Sequence, residues 1–104
     1  MAERDSPMVS VPSIAEVDVE ETLRVLEGRP EDATSLRVCD AIRSAQPYDI
    51  SPGGRVRSIQ LSKEDIGWLI GALEDFLKHG APDAERRKAL NRMVAKLYAA
   101  SQSR

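Results

Sequence analysis

Cysteine, histidine and aromatic residues are nearly missing from this chain: 104 residues hold one Cys, one His, one Trp, one Phe and two Tyr. Cys39 stands alone, which excludes an internal disulfide. With so few aromatic rings, the core must be built from Leu, Ile, Val and Ala. No apolar run approaches the ~18 residues of a membrane span. The first residues, MAERDSPMVSVP, lack the basic start and long apolar centre of a signal peptide, so a cytoplasmic protein is expected.

The same scarcity limits the chemistry. His79 has no second histidine or cysteine to share a metal with, and solvation or capping of a helix end is the simpler reading. Cys39 has no histidine to activate it and reads as a small core residue. Glu20-Glu21, Glu64-Asp65 and Glu74-Asp75 are adjacent pairs. Neighbours on a helix point about 100° apart and do not converge on a substrate. Pro52-Gly53-Gly54 lacks the spaced glycines and the lysine-hydroxyl pair of a phosphate loop. No catalytic, metal or cofactor-binding residue is assigned, and neither an enzyme nor a small-molecule substrate is expected.

What the chain does have is ordinary globular composition, 41% apolar and 31% charged, at a length suited to one domain. The net charge of −2 hides a polarity. Residues 1–50 carry eleven acids and five bases; residues 51–104 carry six acids and ten bases. Either the halves pack with complementary fields, or the basic half meets an acidic partner.

Arg55–Gly80 is the most legible stretch. Ile59 and Leu61 alternate with Ser58 and Gln60, a half-buried strand. Ile66, Leu69, Ile70, Leu73, Phe76 and Leu77 then form one helical stripe. Ser62 and Asp65 read as a capping pair, with Asp65 reaching back. Lys78 and His79 complement the far end of the helix dipole, and Gly80 suits a left-handed stop.

The expected fold is therefore α+β and mostly α, with four helices at 13–27, 31–45, 63–79 and 83–100 and one hairpin, 48–50 with 55–61. The hairpin turn is Ser51-Pro52-Gly53-Gly54. Residues 1–12 read as a flexible tail before a single compact domain, 13–104. The first helix takes Ser13 and Glu16 as its capping box and Gly28 as its stop. Val17 and Val19, alternating with acids, also fit a short strand before a helix starting near Asp18. The second helix starts at Pro30 with Glu31 and Asp32 and turns Val38, Ala41, Ile42 and Ala45 inward. The fourth buries Leu90, Met93, Val94, Leu97 and Tyr98 and sets Lys88, Arg92 and Lys96 as a basic stripe.

Function falls to surfaces. Gly67 and Gly71 sit one helical turn apart, where glycine costs about 1 kcal/mol relative to alanine. Trp68 lies at the margin of the stripe, and tryptophan is enriched at interface hot spots. Trp68, Gly67, Gly71, Ala72 and Asp75 form the candidate protein interface of a small, non-catalytic interaction or regulatory protein, such as an adaptor, inhibitor or accessory subunit. Such a protein would meet a protein partner or itself. A general nucleic-acid binder, using Arg86, Arg87, Lys88, Arg92 and Lys96, is an alternative.

A strand, then Leu-Ser-Lys-Glu, then two helices joined through a glycine-containing turn, RSIQLSKEDIGWLIGALEDFLKHGAPDAERRKALNRMVAKLY, resembles the ribbon-helix-helix family of DNA-binding repressors and antitoxins over residues 57–98. The resemblance implies a dimer whose strands pair with each other. Ser58 and Gln60, with Val56, would face bases, and the amides near Asp83 and Ala84 would approach phosphate. Arg57 departs from it, standing where the family places an apolar residue. Asp83 and Glu85 add negative charge at the phosphate position.

Overall fold

The computed structural model describes residues 8–29, 32–50 and 54–102. Among these, a three-stranded antiparallel sheet packs with four helices: β1 (Met8–Ala15), α1 (Glu16–Glu27), α2 (Ala33–Ser44), β2 (Tyr48–Asp49), β3 (Arg55–Ser62), α3 (Lys63–His79) and α4 (Ala84–Ser101). The strand order is β1-β3-β2. The α+β, mostly helical class is as expected, and α3 has the expected bounds. The sheet has one strand more than expected.

That extra strand is β1, and a bulge hides it. Val9 pairs with Leu61 and Val11 with Ile59, after which the register shifts so that Ile14 pairs with Arg57. Pro12 and Ser13 thus face one residue of β3, Ser58. The bulge breaks the two-residue period that would reveal a strand. It also seats Pro12 where the ladder is interrupted and its missing N–H matters less. Ser13 takes a positive φ of 58°. Residues 8–12, expected in the tail, belong to β1; residues 1–7 lie outside the described ones. The helix expected from 13 starts at Glu16, with Ala15 as N-cap and no side-chain cap. Ser13 is in the bulge, so the Ser13–Glu16 capping box does not form.

Glu16 is bound elsewhere. Arg57 Nε donates to its Oε2 at 2.7 Å and Nη2 to its Oε1 at 3.2 Å. Arg57 Nη1 donates to the carbonyls of Ile42 and Ala45 at 3.0 and 3.3 Å. These carbonyls lie at the end of α2, where no further turn follows, and that of Ile42 also accepts from the Ala45 amide at 3.3 Å. A charge on the inward face of β3 is thereby matched by one carboxylate and one helix end.

The core is aliphatic. Val11 and Ile14 of β1, Ile59 and Leu61 of β3, Ile66, Leu69 and Leu73 of α3, and Leu90, Met93 and Leu97 of α4 are all buried. Val38 and Ile42 of α2 close one side. Leu36 is exposed, consistent with its position off the inward face. Tyr98, expected in the apolar face of α4, is 43% exposed and donates its hydroxyl to Glu74 Oε2 at 3.0 Å. Bonding to that carboxylate raises the Tyr98 pKa.

Asp32 and Asp83, expected within the starts of α2 and α4, stand just outside them as their N-caps. Asp32 accepts from the Ser35 amide at 2.8 Å and Asp83 from the Arg86 amide at 2.9 Å. Pro30 and Glu31, expected in the first turn of α2, lie outside the described residues, as do Ser51, Pro52 and Gly53 of the hairpin turn. Ser62 accepts from the Asp65 amide at 3.1 Å. Asp65 does not reach back: its carboxylate takes both arms of Arg37 on α2, at 2.9 and 2.7 Å. A bidentate arginine is a stronger partner than one backbone amide.

Gly80 is not left-handed. Its φ is −87°, and Ala81 carries the positive φ of 48°. Glycine is needed at 80 for space: a Cβ there would lie 2.7 Å from the Phe76 carbonyl oxygen.

The Asp65 pair has a pH signature. The hydrogen-bonded Arg37 guanidinium holds the Asp65 carboxyl below its ordinary range, against the opposing effect of burial. A depressed folded-state pKa gives stability that is present above the unfolded value, about 3.9, and is lost as pH falls through the lower folded value. Urea unfolding of wild type and Asp65→Asn should differ by about 1 kcal/mol at neutral pH, because Arg37 is largely exposed. The difference should stay level down to pH ~5 and shrink below pH ~4. A difference unchanged at pH ~2 would exclude the ionised carboxylate as its source.

Candidate interaction surface

The candidate surface is the side of α3 turned away from the core. Ile66, Leu69 and Leu73 hold one stripe of α3 inward, so Glu64, Gly67, Gly71, Glu74 and Lys78 share the opposite, exposed side. A Cβ built at Gly67 or Gly71 would meet nothing within 4 Å. Neither glycine is required by packing among the described residues. Gly71 borders a shallow depression of 260 Å³ shared with Glu74, Asp75, Lys78 and His79.

Trp68 stands at the edge of this face, half-buried, with its ring against the core. The Arg29 guanidinium lies 5.9 Å from the ring centroid. Arg29 also pairs with Asp75 at 3.6 Å, and His79 Nε2 lies 3.8 Å from the other Asp75 oxygen. This cluster borders an open cleft of about 370 Å³ between the C-terminal ends of α1 and α3, lined by residues including Arg24, Val25, Arg29 and Phe76. Gly67, Gly71, Trp68 and Asp75 are thus brought to one exposed margin. Ala72 is not: it is 4% exposed and belongs to the core. At about 240° from Ile66 it faces the side on which Asp65 and α2 pack.

Arg29 escaped sequence reasoning because its partners are Trp68 and Asp75, more than a helix length away in the chain. The only available signal was that Arg29 follows the helix stop Gly28 and so must leave α1 at its end.

The candidate nucleic-acid contacts separate into bound and exposed groups. Arg86 Nε donates to Glu21 Oε1 at 2.7 Å, and its guanidinium lies 5.2 Å from the Phe76 centroid. Arg92 donates to both Asp18 oxygens, at 3.2 and 2.8 Å. The Lys96 ammonium donates to the Ser13 carbonyl in the bulge. Arg87 and Lys88 are exposed, Lys88 4.0 Å from Glu85. The basic stripe is therefore largely turned to the acids and backbone of the first half of the chain. Glu16–Arg57, Asp18–Arg92, Glu21–Arg86 and Asp49–Arg55 pair acids of the first half with bases of the second, while Arg29–Asp75 and Arg37–Asp65 run the other way.

On the outer face of the sheet, Gln60 is exposed and Ser58 Oγ lies 3.1 Å from the Tyr48 hydroxyl. The Ser58 hydrogen bond lowers the Tyr48 pKa, with Ser13 and Lys96 acting in the same direction. Val56, opposite Tyr48 in the ladder, is 5% exposed and unavailable to a ligand. Among the described residues, no helix is long and apolar enough to cross a membrane. Neither a protein-family model, nor a curated protein, nor a solved structure matches this chain.

Proposed function

We propose that this chain is a small, non-catalytic interaction or regulatory protein that acts through the outer margin of α3, with Gly67 and Gly71 at its centre and Trp68, Arg29 and Asp75 at its rim. One observation carries the reading. Two glycines face open space in mid-helix, where alanine would be more favourable by about 1 kcal/mol each and would touch nothing. Close approach of another backbone gives them a purpose.

The test separates folding from assembly. Gly67→Ala/Gly71→Ala should raise stability in urea by about 1–2 kcal/mol. The same variant should lose assembly with whatever the wild type binds when both are used as bait in native lysate. Unchanged capture by the stabilised variant would end the proposal. Trp68→Ala is less clean, since its ring also covers the core.

The ribbon-helix-helix alternative keeps one favourable observation: Ser58 and Gln60 face outward while Ile59 and Leu61 face inward. It is less well supported, because β1 pairs with β3 over most of its length and β2 takes two residues of the opposite edge. A twin strand would have to displace one of them or pair beyond β2.

A further inference from the structure

The outer face of α3 carries opposite charges placed symmetrically about a glycine. Glu64 and Lys78 each lie seven residues from Gly71. Steps of seven drift by only ~20° and span about 10 Å each, so the three residues line one side of the helix. All three are exposed; Lys78 forms no ion pair among the described residues, Glu64 acts on Arg37 only at longer range, and Glu74 shares the face between Gly71 and Lys78. The depression beside Gly71 runs toward the Lys78 end of the face, where Glu74, Asp75, Lys78 and His79 complete its lining.

We infer that a second copy of this chain occupies this face, with two α3 helices crossing antiparallel at Gly71. The inference rests on the proposed role of α3 as an interface and names its occupant. A two-fold axis at Gly71 sets Glu64 of one copy opposite Lys78 of the other, and does so twice. A parallel arrangement would set Glu64 against Glu64 and Lys78 against Lys78, so the charges select the antiparallel one. A partner of a single sign would meet repulsion at one end of the face. A partner carrying both signs in inverted order is required, and the chain itself has that pattern. Gly71 meets Gly71 at the axis, where the absence of Cβ atoms lets the backbones come close.

One helix face buries little area, so the dimer is weak and depends on concentration. Sedimentation equilibrium from about 10 μM to about 1 mM covers that range. The wild type should dimerise. Lys78→Glu and Glu64→Lys should each weaken the dimer about tenfold, because both symmetric pairs become like-charged. The double variant Glu64→Lys/Lys78→Glu should recover affinity near the wild-type value. Circular dichroism verifies that each variant is folded. A wild type that stays monomeric, a dimer indifferent to single swaps, or a double variant without recovery would each overturn the inference. If the wild type is monomeric yet Gly67→Ala/Gly71→Ala still abolishes capture from lysate, the second copy is excluded and the interface stands. If capture is also unaffected, both fail.

Discussion

Replacing Arg92 with leucine is expected to destabilise the fold by several times the cost of losing a surface ion pair, because it strands the buried Asp18 carboxylate. Asp18 is 1% exposed and takes two hydrogen bonds from the Arg92 guanidinium. Removing the arginine leaves a carboxylate out of water with no counter-charge. The cost stays below that of a fully buried pair because half of the Arg92 side chain is in solvent and Asp18 lies in the first turn of α1, where the helix dipole favours it. Asp18→Asn/Arg92→Leu should recover part of the loss, since the stranded charge is gone. Chemical denaturation of the two single variants and the double gives the coupling directly. A cost for Arg92→Leu no larger than that of losing an exposed ion pair would mean that the pair behaves as an ordinary surface one. The variant also bears on the nucleic-acid alternative, because an arginine committed to Asp18 is not free to neutralise phosphate.

Arg57→Ala should cost a similar amount, about 2–4 kcal/mol, through a different combination of contacts. One guanidinium serves Glu16 with two donors and the last carbonyls of α2 with a third. Its side chain is only 19% exposed. Arg57→Lys tests the geometry rather than the charge. A single ammonium cannot reach the carboxylate and two carbonyls with the same planar fork, so it should retain less than half of the stabilisation. If lysine proves equivalent by thermal and urea unfolding, charge alone holds the junction of α1, α2 and β3. Arg57 breaks the inward apolar pattern of β3, and it does so because one helix end and one acid converge there.

These arginines show where sequence reading succeeds and where it stops. The Ile66–Leu77 stripe, the Ser62 cap and the stop at Gly80 identify α3 because each depends on neighbours within four residues. Likewise β3 shows its alternation from Ser58 to Leu61, where its period is unbroken. β1 has the same kind of residues, yet Pro12 and Ser13 interrupt the period, and only pairing with β3 explains why Val9, Val11 and Ile14 all face inward. The capping roles of Ser13 and Asp65 looked local and were not. Ser13 went to a bulge, and Asp65 turned to Arg37, 28 residues away. A charged side chain chooses its partner by proximity in space, where a bidentate arginine outcompetes a single amide.

The candidate surface divides in the same way. Gly67 and Gly71 could be placed off the apolar stripe from spacing alone. Whether they served packing or faced solvent depended on what stood opposite, and nothing does among the described residues. Ala72 was misplaced because α1 and α2 widen the buried sector of α3 beyond its own apolar stripe. Trp68 needed Arg29 to define its outer side.

Hydrophobic period, caps and turn chemistry thus determined by themselves a mostly helical α+β chain with four helices and a hairpin. They are short-range effects, written into adjacent residues. Tertiary structure alone decided the third strand, the pairing of the basic half with the acidic half, and the exposure of the α3 glycine face. Each of these depends on segments far apart in the chain meeting in space, and no local pattern records which ones will meet.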